Sequence, residues 1–281
     1  MAIFLGLAAA LTYGAGDFVG GLVTRRAPLL TVVFLSQVAG TALLVSAFPF
    51  FVGGAPTGPA LAWGAGSGAA GAIGVLLLYK GLAAGQMSVV APITAVEAAA
   101  VPVLWGLLSG ERPAPLALAG VALALVAVVL VAGFDPSGIK RSRGDALAPG
   151  VREALGAGLG FGLFFVLLAE AGSTELWPLA GARAASLSVL GVLLLARRHP
   201  VRAPRGTAGP IIAAGVFDVA ANVLYLLSTR EGLLSIVAVL TSLYPVSTVL
   251  LARIVLGERI ARPQIAGLGV ALGGVVLMAS S

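Results

Sequence analysis

The chain has 281 residues, 59% hydrophobic and only 10% charged, with 39 Gly and no Cys. A soluble domain carries roughly 25% charged residues and about 7% Gly, so this composition excludes a soluble globular protein and points to one built in lipid; the lack of Cys excludes disulfides and thiolate metal sites. The formal charge of +6 calls for no nucleic-acid partner, because the basic residues sit in short loops between apolar runs, where they report topology.

Apolar runs of about twenty residues, each long enough to cross a bilayer, follow one another along the chain. Read against their interruptions they predict ten helical spans: 2–22, 29–52, 59–83, 86–109, 114–133, 152–171, 175–197, 207–230, 233–256 and 261–280. The breaks combine charge, Gly and Pro, as at Arg25-Arg26-Ala27-Pro28, Gly53-Gly54-Ala55-Pro56, Glu111-Arg112-Pro113 and Arg197-Arg198-His199-Pro200. Such residues end helices or are costly in hydrocarbon. The first run begins at Met1 with no basic segment ahead of it and no clear cleavage site after it, so it reads as a retained span and not as a signal peptide.

The longest connection, the linker 134–151, divides a first five-span repeat (1–133) from a second (152–281). Ser235 to Arg259, shifted back by 147 positions, falls on Ser88 to Arg112. Ser, Val, Ala and Thr recur at 88/235, 90/237, 91/238 and 94/241, and Gly-Glu-Arg closes both copies at 110–112 and 257–259. Gly120 and Gly267 correspond by the same shift. Since five is odd, the second copy enters the membrane in the opposite sense, and the expected fold is all-α, ten transmembrane helices arranged as two inverted five-helix repeats.

Loops alternate sides. Those after the odd-numbered spans hold Arg25, Arg26, Lys80, Lys140, Arg141, Arg143, Arg152, Arg197, Arg198, Arg202, Arg205, Arg259 and Arg262, whereas the others hold only Arg112 and Arg230. That bias predicts a cytoplasmic charge-rich side and both termini outside, in a bacterial inner membrane. Trp63, Trp105 and Trp177 fall near the charge-poor side. Small residues at four-residue spacing (Gly64, Gly68 and Gly66, Ala70, Gly74 in the third span; Gly156, Gly160 and Gly158, Gly162 in the sixth; Gly269, Gly273 in the tenth) predict close helix contacts.

Ionisable and polar residues inside spans are the candidates for a functional site, since each ionisable group costs on the order of 2.5–3.5 kcal/mol at the centre of an inserting helix. Glu97 is nearly central in the fourth span, with Thr94 one turn earlier. In the eighth, Asp218, Asn222, Tyr225 and Thr229 follow i, i+4, i+7, i+11 spacing and form one polar face, as the wall of a water-filled cavity or a protein contact requires. Tyr13 and Asp17 make an i, i+4 pair in the first span. Arg183, well inside the seventh, needs an acceptor: Glu97, Asp218 or an anionic substrate group. Its counterpart, when flanking apolar residues are aligned, is Gln37. Tyr244 matches Glu97 in the repeat and shares a face with Thr241 and Thr248. Glu111 and Glu258 also repeat, but at helix ends after Gly, where capping the next helix or pairing with Arg112 or Arg259 accounts for them. Lys80 and Arg253 lie toward helix ends and can snorkel, and His199 reads as a solvated loop residue. No hydrolytic triad, zinc spacing or phosphate-cradling Gly loop can be assembled, so no catalytic residue, metal site or cofactor is expected.

With its two five-span halves, each closing a helix on Gly-Glu-Arg before a last span, and with Pro245 thirteen residues ahead of Glu258, the chain resembles the EamA-type permeases of the drug/metabolite transporter superfamily. The resemblance implies a central cavity lined by spans 1 to 4 and 6 to 9, spans 5 and 10 at the periphery, and alternating access. The first copy departs from the pattern, with Ala98 in place of Pro245 and Glu97 in place of Tyr244. The expected function is a permease, not an enzyme, moving a small polar or amphipathic metabolite, of the amino-acid, metabolite or drug exporter type. The substrate is expected at midplane among Tyr13, Asp17, Glu97, Arg183, Asp218, Asn222, Tyr225 and Tyr244. Membrane lipid is the surroundings, and protons are a candidate coupling ion, because a carboxylate shielded from water holds its proton more readily. The competing readings are an integral-membrane enzyme acting on a lipid-linked substrate, with Asp218 or Glu97 as general base, and a structural or sensor membrane protein without transport.

Overall fold

The computed structural model describes residues 1–24, 26–51, 54–84, 87–131, 150–172, 176–198, 201–257 and 261–280. Residues 134–149 of the linker, with Glu258, Arg259 and His199, lie outside the described residues. All regular structure among them is helical: α1 (Ala2–Thr24), α2 (Leu29–Phe51), α3 (Gly58–Ala84), α4 (Met87–Leu108), α5 (Pro115–Val131), α6 (Val151–Glu170), α7 (Trp177–Ala196), α8 (Ala208–Glu231), α9 (Leu234–Thr241), α10 (Tyr244–Leu256) and α11 (Arg262–Ala279). Eight stretches are long and apolar enough to cross a membrane, the pair α9 and α10 counting as one, and two shorter apolar helices complete ten spans.

The ninth span departs from the expected continuous helix. It breaks at Ser242 and Leu243, where Leu243 N donates to Leu240 O at 3.2 Å and Val246 N to Leu243 O at 2.9 Å. Pro245 is the cause: it has no N–H to give the carbonyl four residues back, and its ring crowds that turn. The matching α4 carries Ala98 at this point and runs unbroken.

Helices pack across the two halves in matched pairs. α3 lies on α6 and α7 while α8 lies on α1 and α2; α4 lies on α6 while α9 and α10 lie on α1; α2 meets α7, α4 meets α9, and α5 meets α11. Exchanging each span for the one five along maps this set onto itself, as an approximate two-fold between inverted halves requires. Small residues make the contacts close, because lipid offers no hydrophobic drive and helices gain by bringing backbones together. A Cβ on Gly68 would overlap the carbonyl oxygen of Ala182 in α7, and one on Gly160 would stand 2.8 Å from Cα of Gly74 in α3. In the last span the packing face differs from the expected one. Gly269 and Gly273 have nothing within 4 Å among the described residues, whereas a Cβ on Gly274 would come 2.9 Å from the carbonyl of Gly120. Gly267, Ala271, Gly274 and Met278 form the buried face instead.

One end is tied across the halves. Trp105 Nε1 donates to Glu170 Oε1 at 2.7 Å, Trp177 Nε1 to the carbonyl of Gly54 at 3.0 Å, and Ser228 Oγ to the carbonyl of Ala2 at 2.7 Å. Glu111 joins them: its carboxylate accepts the backbone N–H groups of Leu234 at 2.5 Å and Ser235 at 3.0 Å. These are the orphan donors at the start of α9, where a negative charge also meets the positive end of the helix dipole. The residue therefore caps a helix as expected, though one in the other half of the chain. A left-handed Gly110, φ 99°, turns the chain back toward it, and Gly106 leaves room for the carboxylate, which a side chain there would displace. All of these contacts lie at the charge-poor end. At the opposite end Lys80 pairs with Glu153 at 3.0 Å, an exposed bridge.

Candidate substrate cavity

Between the halves lies a cavity of about 180 Å³, room for about six waters at their liquid volume. Tyr13 and Asp17 of α1, Gln37 of α2, Ala98 of α4, Arg183 and Ser186 of α7, Asp218 and Asn222 of α8 and Tyr244 of α10 line it, with Phe161, Phe164 and Phe165 of α6 and Val75 and Leu78 of α3 as apolar wall. No described residue of α5 or α11 contributes. Along α7 the lining runs from Leu179 to Leu190, about 16 Å at 1.5 Å per residue.

The polar side of the cavity is a connected network. Arg183 Nη2 lies 2.6 Å from Asp218 Oδ2, and Arg183 Nη1 donates to Gln37 Oε1. The guanidinium is dry, its side chain 7% exposed, whereas the Asp218 side chain is 38% exposed on the cavity wall. Asn222 Nδ2 donates to the Asp218 carbonyl at 2.7 Å, and its Oδ1 accepts the Tyr13 hydroxyl at 2.8 Å. Each group is set by helix periodicity: Asp218 and Asn222 stack one turn apart on α8, Tyr13 and Asp17 one turn apart on α1. The Pro245 break places Tyr244 at the first turn of α10, facing the same space. Neither the Asp17 carboxylate nor the Tyr244 hydroxyl makes a hydrogen bond or ion pair with the described residues.

Six of the eight sequence candidates thus line one cavity: Tyr13, Asp17, Arg183, Asp218, Asn222 and Tyr244. The other two do not line this cavity. Tyr225 is 0% exposed and gives its hydroxyl to the Phe165 carbonyl at 2.9 Å, holding α8 to α6 inside the core. Glu97 turns toward α6, where a Cβ on Gly158 would stand 2.6 Å from its own Cβ. Its Oε2 is buried without a hydrogen-bond partner among the described residues. Of the three acceptors open to Arg183, the structure gives it Asp218. The residues absent from the sequence set are Gln37, Ser186 and the Phe161, Phe164, Phe165 group. Gln37 had a signal in its alignment with Arg183, and Ser186 in its i+3 spacing from that residue; the aromatics had none, being indistinguishable from lipid-facing side chains.

No curated protein matches the chain significantly. A solved structure described only as "Crystal structure of protein" superposes with a TM-score of 0.80 at 19% identity, covering 99% of this chain and 98% of that one; at that identity the likeness shows the fold alone. The model of the EamA-like transporter family matches twice, over residues 1–133 and 148–280, one match to each set of five spans. The chain therefore belongs to the EamA-like transporter family, a multi-pass membrane protein of the drug/metabolite transporter superfamily.

Proposed function

We propose that the protein is a permease for a small polar or amphipathic metabolite, which binds in the cavity between the two halves and crosses by alternating access as the halves, 1–133 and 152–281, rock about it. The observation that carries this reading is the Arg183–Asp218 pair on the cavity wall, with Gln37 completing it. An ion pair at membrane depth is costly, and such groups belong to substrate pathways and relays far more than to passive packing. The broken ninth span supports the same reading, because irregular backbone at that depth is tolerated where it lines a cavity. The charge-poor end, tied by Glu111 and two Trp side chains, is the outer face in this reading, with both termini outside an inner membrane.

Purified protein in liposomes, assayed by counterflow against a broad panel of labelled metabolites, tests the reading. Uptake of at least one compound is expected, reduced at least about tenfold by Asp218→Asn or Arg183→Met. Failure to move any member of the panel, with the protein demonstrably folded, removes the permease reading.

A further inference from the structure

We propose that the charge-rich end carries a binding site for the headgroup of an anionic phospholipid, formed by Arg26, Arg202 and Arg205 with Arg197 and Arg198 at its flank. The site lies apart from the cavity, and the inference holds whatever the protein transports. All of these Arg residues are exposed. They come from separate stretches of chain that the fold gathers. Ala27, between α1 and α2, sits in one apolar cluster with Val23, Val32 and Ile211, and Ala203, ahead of α8, packs against that cluster. Arg26 and Arg202 are the chain neighbours of those two Ala residues. Arg205 stands in the turn that Thr207 N closes on Pro204 O at 3.2 Å.

Local roles account for only part of this charge. Arg197 and Arg198 follow α7, where a cation suits the negative end of the helix dipole. Arg198 even takes a left-handed backbone, φ 47°, in the place after a helix that Gly fills at least cost. Arg26 and Arg205 instead stand three residues ahead of α2 and α8, toward the positive ends of those dipoles, where a cation is disfavoured. Neither 18–36 nor 184–217 contains an Asp or Glu, and Glu153, a described carboxylate at this end, is paired with Lys80. A topology signal asks only that basic residues lie on one side of the membrane, not that they gather.

The surface beside the cluster says what the anion is attached to. Ile212 of α8 and Val192 and Leu195 of α7 are exposed, so the protein turns apolar within about two helical turns of the Arg side chains. A ligand that meets guanidinium groups at the membrane surface and aliphatic side chains just inside it has an anionic head and acyl chains. Arg pairs with phosphate oxygens in bidentate fashion, and basic clusters beside transmembrane helices draw anionic lipid. Arg26 belongs to the first half and Arg202 and Arg205 to the second, so one lipid headgroup is shared by both halves.

Native mass spectrometry of the full chain in detergent micelles tests this, with phosphatidylglycerol and phosphatidylcholine of identical acyl chains added in turn and glycerol phosphate and inorganic phosphate as soluble arms. Phosphatidylglycerol is expected to bind at least about tenfold tighter than phosphatidylcholine. Arg202→Gln and Arg205→Gln should each weaken it about fivefold, whereas Arg202→Lys and Arg205→Lys retain most of the preference. Arg152→Gln and Arg262→Gln, exposed at the same end on α6 and α11, should leave it within about twofold. Equal binding of the two lipids by the wild type overturns the proposal, and this comparison stands even if a variant does not fold. So does an equal loss in the Arg152 and Arg262 variants, which would make the preference one of overall charge. Soluble phosphates binding as tightly as the lipid overturn it as well, leaving an anion site without a lipid.

Discussion

The Arg183–Asp218 pair yields a quantitative test through a double-mutant cycle. Stranding one charge of a fully dry pair costs about 3–5 kcal/mol. Here the Asp218 side chain is 38% exposed to the cavity, and an Asn in its place still accepts one hydrogen bond from the guanidinium. Asp218→Asn, which leaves the dry guanidinium with neutral partners, should therefore cost about 2 kcal/mol. Arg183→Met strands the better solvated partner and should cost less, about 1 kcal/mol. The double variant strands neither, so its cost should fall short of the sum by about 1–2 kcal/mol. Unfolding in mixed micelles with increasing anionic detergent, followed by circular dichroism, gives the three values. Single-variant costs that add to within about 0.5 kcal/mol would mean the two residues are not an energetic unit, and the case for a functional pair would fail with them.

Gly68→Ala should impair folding severely, since a methyl there overlaps the Ala182 carbonyl, whereas Gly269→Ala, with open space around it, should stay within about 0.5 kcal/mol of wild type; thermal stability in micelles compares them. Glu111→Ala removes the cap on α9 and should cost about 1–2 kcal/mol, with faster amide exchange at Leu234 and Ser235 as its local signature. Tyr225→Phe should cost about 1 kcal/mol and leave ligand binding unchanged, while Tyr13→Phe should alter binding by freeing Asn222. A Cys added at either terminus should react with an impermeant reagent in intact cells; protection of both would reverse the orientation.

How far the sequence reaches depends on whether the partner of each residue is local. The spans were readable because hydropathy and Pro or Gly breaks are local, and the observed helices begin and end within a few residues of the expected ones. The ninth reads from hydropathy as continuous although it contains Pro245, since a Pro within a transmembrane run bends, breaks or is absorbed according to what packs beside it. For Tyr225 the stripe on α8 was correct as periodicity, but a face at i, i+4, i+7 is wide enough to reach both the cavity and the core, and Phe165 claims its end. Glu97 shows the same limit: its depth followed from position and its direction did not. The Glu111 cap was legible as a kind of interaction, while the helix it serves begins 123 residues further on.

Gln37 and Arg183 occupy matching places in α2 and α7, and they touch. A contact between counterparts lies on the approximate two-fold, the one locus where a residue meets its own equivalent. Two identical subunits assembled in this way are bound to put like against like there. Paired Gln would leave Asp218 without a cation, and paired Arg at about 4 Å would repel by on the order of 4 kcal/mol. Joining the halves in one polypeptide lifts that restriction, and the axis then holds a donor of charge facing a neutral acceptor. The lopsided centre is thus a property that two identical subunits cannot have, whatever the symmetry of the helices around it.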